Sequence, residues 1–300
     1  MQHSLFKRSL LTAAIAAFAL CPACHTAQNA PDPSAPATPT IPTTPIRPLS
    51  PSDDFSPFDP FDPIELLGET TPSVWDVSDI DISEIDLTRK LIAFTFDDAP
   101  SKTLENILAV FTAFNENNPD CKATATVFCN GHLMDNTSTH TLRTAYALGF
   151  ELGNHTFSHV DLTALSPSKL REEIDSTDKL LSAVDGKAQH LFRAPFGKIN
   201  DEVKAAITTP AFNWTIDTLD WRGIPAKKIY DAVWSNKFSG AIVLMHDGYE
   251  NTVTALKRLL PDLKADGYQV VGISAMAKAH SCPLRCGSLY IRARKNRTSA

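Results

Sequence analysis

Positive charge is not in surplus in this chain: 28 Lys and Arg stand against 34 Asp and Glu, a net charge of −6. Nucleic-acid binding needs a basic face to neutralise phosphates, so the balance speaks against that partner. It leaves uncharged or weakly charged partners such as glycans open. An apolar run of membrane-spanning length is also missing. The run from Leu10 to Leu20, behind Lys7 and Arg8, is too short for a comfortable permanent span and reads as the core of a signal peptide. The cysteines lack the paired two-to-four-residue spacing of a structural zinc ribbon. The brief repeat from Pro57 to Pro63 is too short to build a repeat fold.

What is present divides the chain into segments. Residues 1–23 read as the signal peptide. Ala23-Cys24 resembles a bacterial lipoprotein cleavage point, which would make a lipidated Cys24 a membrane tether, although Cys21 and Pro22 depart from that pattern. Residues 24–63 form a Pro-rich linker: eleven of the 21 prolines fall between Pro31 and Pro63, a composition that favours an extended, solvated chain. Residues 64–89 are an acidic, extended lead-in, with Asp76, Asp79, Asp81, Glu84 and Asp86 among Val and Ile. Residues 90–278 carry the folded pattern, and 279–300 are a basic tail with Cys282 and Cys286. Export to a periplasm or cell surface follows from the leader, and it permits disulfides within Cys121/Cys129 and within Cys282/Cys286. Buried thiols are the alternative for the first pair. Nothing in the sequence speaks to oligomeric state.

From Lys90 onward, short apolar stretches alternate with helical patterns. Strands are expected at Leu91–Phe96, Ala123–Cys129, Phe150–Gly153, His190–Arg193, Phe212–Ile216, Ala241–Met245 and Tyr268–Ile273. Leu104, Ile107, Leu108 and Phe111 have helical spacing, and Ser166 with Pro167 should open a long amphipathic helix. Seven such alternations predict an α/β fold: a parallel sheet with helices outside, open or closed into a barrel.

The polar residues concentrate where the strands end. Asp97 and Asp98 end the first strand, and His155 and His159 follow the third. Arg193 ends the fourth, Asp217 to Trp221 follow the fifth, and His246 ends the sixth. In parallel barrels the working residues gather at the strands' C-terminal ends. Two imidazoles four apart can converge on one side of a helical turn, and with a carboxylate they form a site that leaves metal positions open, as catalysis requires. Taken singly, each segment has a plain reading: a surface histidine pair, a helix-capping Asp before Pro, a surface turn. Five strand ends delivering ionisable groups to one rim outweigh those readings. His132, after Cys129-Asn130-Gly131, is a further rim candidate.

These five segments, Thr95-Phe96-Asp97-Asp98-Ala99-Pro100, His155-Thr156-Phe157-Ser158-His159, Arg193-Ala194-Pro195-Phe196-Gly197, Asp217-Thr218-Leu219-Asp220-Trp221 and Leu244-Met245-His246, resemble in content and order the polysaccharide deacetylase family (NodB homology domain, carbohydrate esterase family four). One departure is Ala99, where the family usually has Gly. The resemblance implies a distorted (β/α) barrel of about seven parallel strands and a divalent metal, zinc first, with Co²⁺, Ni²⁺ or Mn²⁺ as alternatives. Carried over, Asp98, His155 and His159 would hold the metal. Asp97 would be the general base for the water on it, and His246 the general acid. Arg193 would orient Asp97, and Asp220 would orient His246. Trp221 and Leu244 would wall an acetyl pocket, and the Phe196 backbone N–H would hold the oxyanion. The implied activity is removal of N-acetyl groups from an envelope or extracellular polysaccharide, peptidoglycan or chitin-like. The alternatives are an O-acetyl esterase on a xylan-type polysaccharide and a non-catalytic glycan-binding protein.

Overall fold

A computed structural model describes residues 73–293. The signal peptide, Cys24, the linker and the first part of the lead-in lie outside the described residues. Among the described residues, nine short strands join one sheet in the order β6-β7-β1-β2-β3-β4-β5-β9, with β8 paired to β1. The strands are β1 Lys90–Ala99, β2 Thr126–Cys129, β3 Glu151–Asn154, β4 Leu191–Phe192, β5 Ala211–Phe212, β6 Ile216–Asp217, β7 Ile242–His246, β8 Tyr268–Val271 and β9 Leu289–Tyr290. The helices are α1 Leu104–Asn117, α2 Asn136–Ala147, α3 Pro167–Asp185, α4 Asp201–Ala206, α5 Ala226–Asn236, α6 Glu250–Ala265 and α7 Ile273–Ala279. Every pairing within the sheet is parallel.

β1 is the spine. Leu91 to Phe96 are buried without a break, the signature of a strand covered on both faces. β1 pairs with β7 along one side, and on the other with β8 at its start and β2 at its end. Phe96, Phe111 and Phe150 meet edge to face, with centroids 6.2 and 4.9 Å apart, which locks α1 against the sheet. Local signals set the helix ends. Asp135 and Ser138 form a capping box at α2, Pro167 opens α3, and Gly186, with φ at 79°, closes it.

The expected fifth strand is two. Asn213-Trp214-Thr215 separates β5, which bonds to β4, from β6, which bonds to β7 at the far end of the strand order. Three residues therefore carry the chain from one end of the order to the other, and the sheet must curl on itself into a distorted barrel. The strand count exceeds seven for this reason and because the segment read as a tail supplies β9. Leu284, Tyr290 and Ala293 of that segment are buried in a core with Leu91, Phe212 and Val271. Residues 73–89 lie on the domain: Trp75, Val77 and Ile85 pack on this core, and Gln269 bonds the Asp86 N–H and the Glu84 carbonyl. Cys121, Cys129 and Cys286 stand as thiols, and burial pushes those of Cys121 and Cys129 above their ordinary range.

Candidate active site

The parallel register puts Asp97 of β1 opposite His246 of β7. Past Asp97 the register of β1 with β2 is broken by an irregularity: Asp98 takes φ of 61°, a left-handed conformation, and its Oδ1 faces His155 and His159 beyond the β3 end. The extra methyl of Ala99 is fully buried in the core, and the strained residue is Asp98 instead.

His155 and His159 do not converge through a helical turn. The segment is a bend, with φ of 70° at Thr156 and 53° at His159. That bend sets their rings with centroids 5.0 Å apart. His159 Nε2 lies 3.3 Å and His155 Nε2 3.6 Å from Asp98 Oδ1. Phe196 and Leu219 also have positive φ, so five of the six positive-φ non-glycine residues described border this site. Such strain persists only where surrounding structure enforces it.

His155 Nδ1 is 2.7 Å from the Arg193 carbonyl, which can only accept, so that nitrogen carries the proton and Nε2 offers a lone pair. Burial pushes the His155 pKa below its ordinary value despite Asp97 and Asp98, which favours the neutral, ligating form. Asp98 Oδ1 is buried and accepts no hydrogen bond. Ligand atoms of Asp98, His155 and His159 all lie within 4.8 Å of one another.

Arg193 is fully buried, and each of its guanidinium nitrogens has a partner. Nη1 bonds Asp97 Oδ1 and Thr95 Oγ1, each at 2.7 Å, while Nε and Nη2 bond the Phe212 and Asn213 carbonyls. Its guanidinium lies over the Phe128 ring, 4.2 Å from the centroid. Burial raises the Asp97 pKa, but Arg193, His155 and His246 together outweigh it and hold the carboxyl below its ordinary value.

Asp220 is fully buried and takes four donors: His246 Nδ1 at 2.7 Å, the His246 N–H, the Thr252 hydroxyl and the Trp221 N–H. Burial alone would lower the His246 pKa, but the Asp220 hydrogen bond and the Asp97 charge raise it above its ordinary value. Trp221 is half exposed beside this dyad, and Leu244 is buried two residues before His246 on β7. The exposed Phe196 ring packs edge-on against His159, with centroids 4.8 Å apart. His132 Nδ1 lies 2.7 Å from the Phe157 carbonyl, so the ring rests on the His155–His159 bend.

Sequence reasoning missed Thr95, Asn130, Asp247 and Thr252, which bond to these groups or to their backbones. Asn130 and Asp247 directly follow strand ends, the signal that could have found them; Thr95, inside β1, and Thr252, on α6, carry none.

The sequence profile of the polysaccharide deacetylase family matches residues 84–210. A peptidoglycan-N-acetylglucosamine deacetylase of Bacillus cereus is 33% identical over 204 residues, 65% of this chain and 92% of that protein. The peptidoglycan-N-acetylmuramic acid deacetylase PdaC of Bacillus subtilis is 32% identical over 64% of this chain, a match that spans only 40% of that longer protein. A solved structure of PdaC superimposes with a TM-score of 0.60 and 31% identity, covering 66% of this chain and 94% of that one. By its strand-end constellation and these matches, the chain belongs to the polysaccharide deacetylase family.

Proposed function

We propose that this chain is a metal-dependent hydrolase that removes N-acetyl groups from an envelope polysaccharide, peptidoglycan or a related polymer of N-acetylglucosamine. The observation that carries the reading is the buried, unbonded Asp98 Oδ1 facing two imidazole Nε2 atoms. Three convergent ligand atoms within 4.8 Å of one another fit a cation, and a His-His-carboxylate set suits zinc, with open positions for water and substrate.

Asp98, His155 and His159 would hold the ion. When bound, the cation supplies Lewis acidity toward the amide carbonyl and lowers the pKa of water from near 16 toward roughly 7. The protein's own groups account for the proton movements. Asp97, kept anionic beside Arg193, accepts a proton from the attacking water. His246 carries the other proton. With Nδ1–H given to Asp220, its Nε2–H is free to protonate the leaving amine nitrogen, which departs poorly as an anion. Trp221 and Leu244 would wall the acetyl group, and the Phe196 N–H would meet the developing oxyanion. An amine leaves less readily than an alkoxide and so depends more on this proton donor.

An envelope location accords with the leader and linker of the sequence and with the named substrates of the relatives. The test is acetate release by the purified protein from peptidoglycan, N-acetylglucosamine oligomers and acetylxylan with defined metals. Release from acetylxylan alone would favour the O-acetyl esterase reading.

A further inference from the structure

Two buried polar residues outside the ligand, base and acid set bracket the loop that carries Asp98. On the β7 side, the residue after His246 is Asp247, only 3% exposed. Its backbone N–H donates to the Asp97 carbonyl at 2.8 Å, continuing the β1–β7 ladder one step past the catalytic pair. Its carboxylate turns back and accepts twice from Ser101, from the backbone N–H and from the hydroxyl, the latter at 2.8 Å. The Ser101 hydroxyl in turn accepts the Thr103 N–H at the start of α1. On the β2 side, the Asn130 N–H donates to the Ala99 carbonyl at 2.8 Å, and its side-chain amide donates to the His155 carbonyl at 2.7 Å.

The segment from Asp98 to Ser101 is therefore fastened at both ends to neighbouring strands. Asn130 ties it to the backbone of His155, and Asp247 ties it to the strand that presents His246. Between the fasteners, Asp98 sits in a left-handed conformation, which aspartate tolerates better than most residues but at a cost the surrounding bonds must offset. A carboxylate accepting two donors, one a backbone N–H, resists displacement more than a neutral acceptor would.

We infer that Asp247 is a positioning residue: through Ser101 it holds the Asp98 loop in the conformation that lets Asp98 share a cation with His155 and His159. This rests on the metal reading above, but it concerns residues that touch neither the ligand atoms nor the substrate. Asn at 247 keeps the size, loses the charge, and turns an amide donor toward a Ser101 donor. Ala at 101 removes the hydroxyl's bonds to Asp247 and from the Thr103 N–H and keeps the backbone N–H bond to Asp247.

Cobalt(II) titration of the metal-free full chain, followed by visible absorption, tests it without relying on turnover. The D247N variant should show a Kd for cobalt raised about tenfold, the scale on which supporting residues act at metal sites. Its absorption band should shift, while kcat at saturating metal falls and KM for an N-acetylglucosamine oligomer stays within about twofold, since the substrate contacts are untouched. S101A should raise the Kd about fivefold or more, since the loss includes the hydroxyl's bond to Asp247, and S101T should restore it. If D247N does not fold, the S101A and S101T pair carries the same test. Wild-type cobalt uptake with unchanged Kd and band in the variants overturns this inference alone. A wild-type chain that takes up no cobalt overturns it together with the metal reading.

Discussion

Arg193 Nη1 lies 2.7 Å from Asp97 Oδ1, and the two side chains are 0% and 4% exposed. Removing one partner of such a buried pair strands the other charge, at a cost of about 3–5 kcal/mol. Arg193→Met should therefore lower the urea midpoint markedly. Without the guanidinium, burial governs Asp97, so its pKa rises. Base function is then lost at higher pH, and the acid limb of the activity profile moves upward. An acid limb identical to wild type would show that Arg193 does not tune Asp97. Arg193→Lys should rescue little, because an ammonium cannot reach Asp97, Thr95 and two carbonyls together.

On the proposed mechanism the His246–Asp220 contact sets the alkaline limb. The His246 pKa is raised in the folded protein, so the acid form persists to higher pH than in a free imidazole and is lost as pH rises through the folded value. Asp220→Asn removes the charge that retains the proton. The alkaline limb should move to lower pH and kcat should drop by about 10²-fold or more, the usual worth of a positioned proton donor. A pH–rate profile whose alkaline limb stays in place would remove His246 from the acid role.

A stability prediction concerns His190, away from the chemistry. Its ring nitrogens face Asp178 Oδ1 at 2.9 Å and Asp185 Oδ1 at 3.2 Å, so both act as donors only in the imidazolium. Burial opposes this charge, but the two aspartates win and the pKa is raised. The contribution to stability is fully present below the unfolded value, near 6.5, and is lost as pH rises through the folded value. The Tm gap between wild type and His190→Gln should be wide near pH 6 and narrow toward pH 9. A gap that widens with pH would contradict the ion pairing.

Metal content separates ligands from neighbours. Asp98→Ala and His155→Ala should each abolish stoichiometric zinc binding, measured by elemental analysis after dialysis, and acetate release should fall to background. Asp97→Asn should retain zinc while losing activity, because Asp97 is spoken for by Arg193. Zinc lost equally from all three would erase the division of labour between the adjacent aspartates.

Much of this site was legible because strand ends are legible. Asp97, His155, Arg193 and His246 each follow an apolar run whose length and punctuation mark a strand, so the barrel logic placed them on one rim before any coordinates. What stayed hidden depends on backbone conformation. The bend at Thr156 and His159 looks in sequence like a helical His pair, since a spacing of four does not distinguish the two. The division of the fifth strand at Asn213-Trp214-Thr215 follows from barrel closure, a long-range constraint that local propensity does not carry. Tyr290 and Ala293 sit in a short segment whose apolar residues are too few for periodicity, yet they pack in the core.

On the proposed reading, a metal held by Asp98, His155 and His159 supports removal of N-acetyl groups from a glycan. Acetate release from N-acetylglucosamine oligomers and peptidoglycan, measured before chelation, after chelation and after zinc is returned, tests it most directly. Release should disappear with the chelator and return with stoichiometric zinc. Release that survives complete removal of the metal, or none from any N-acetylated glycan in the zinc-loaded protein, would contradict it.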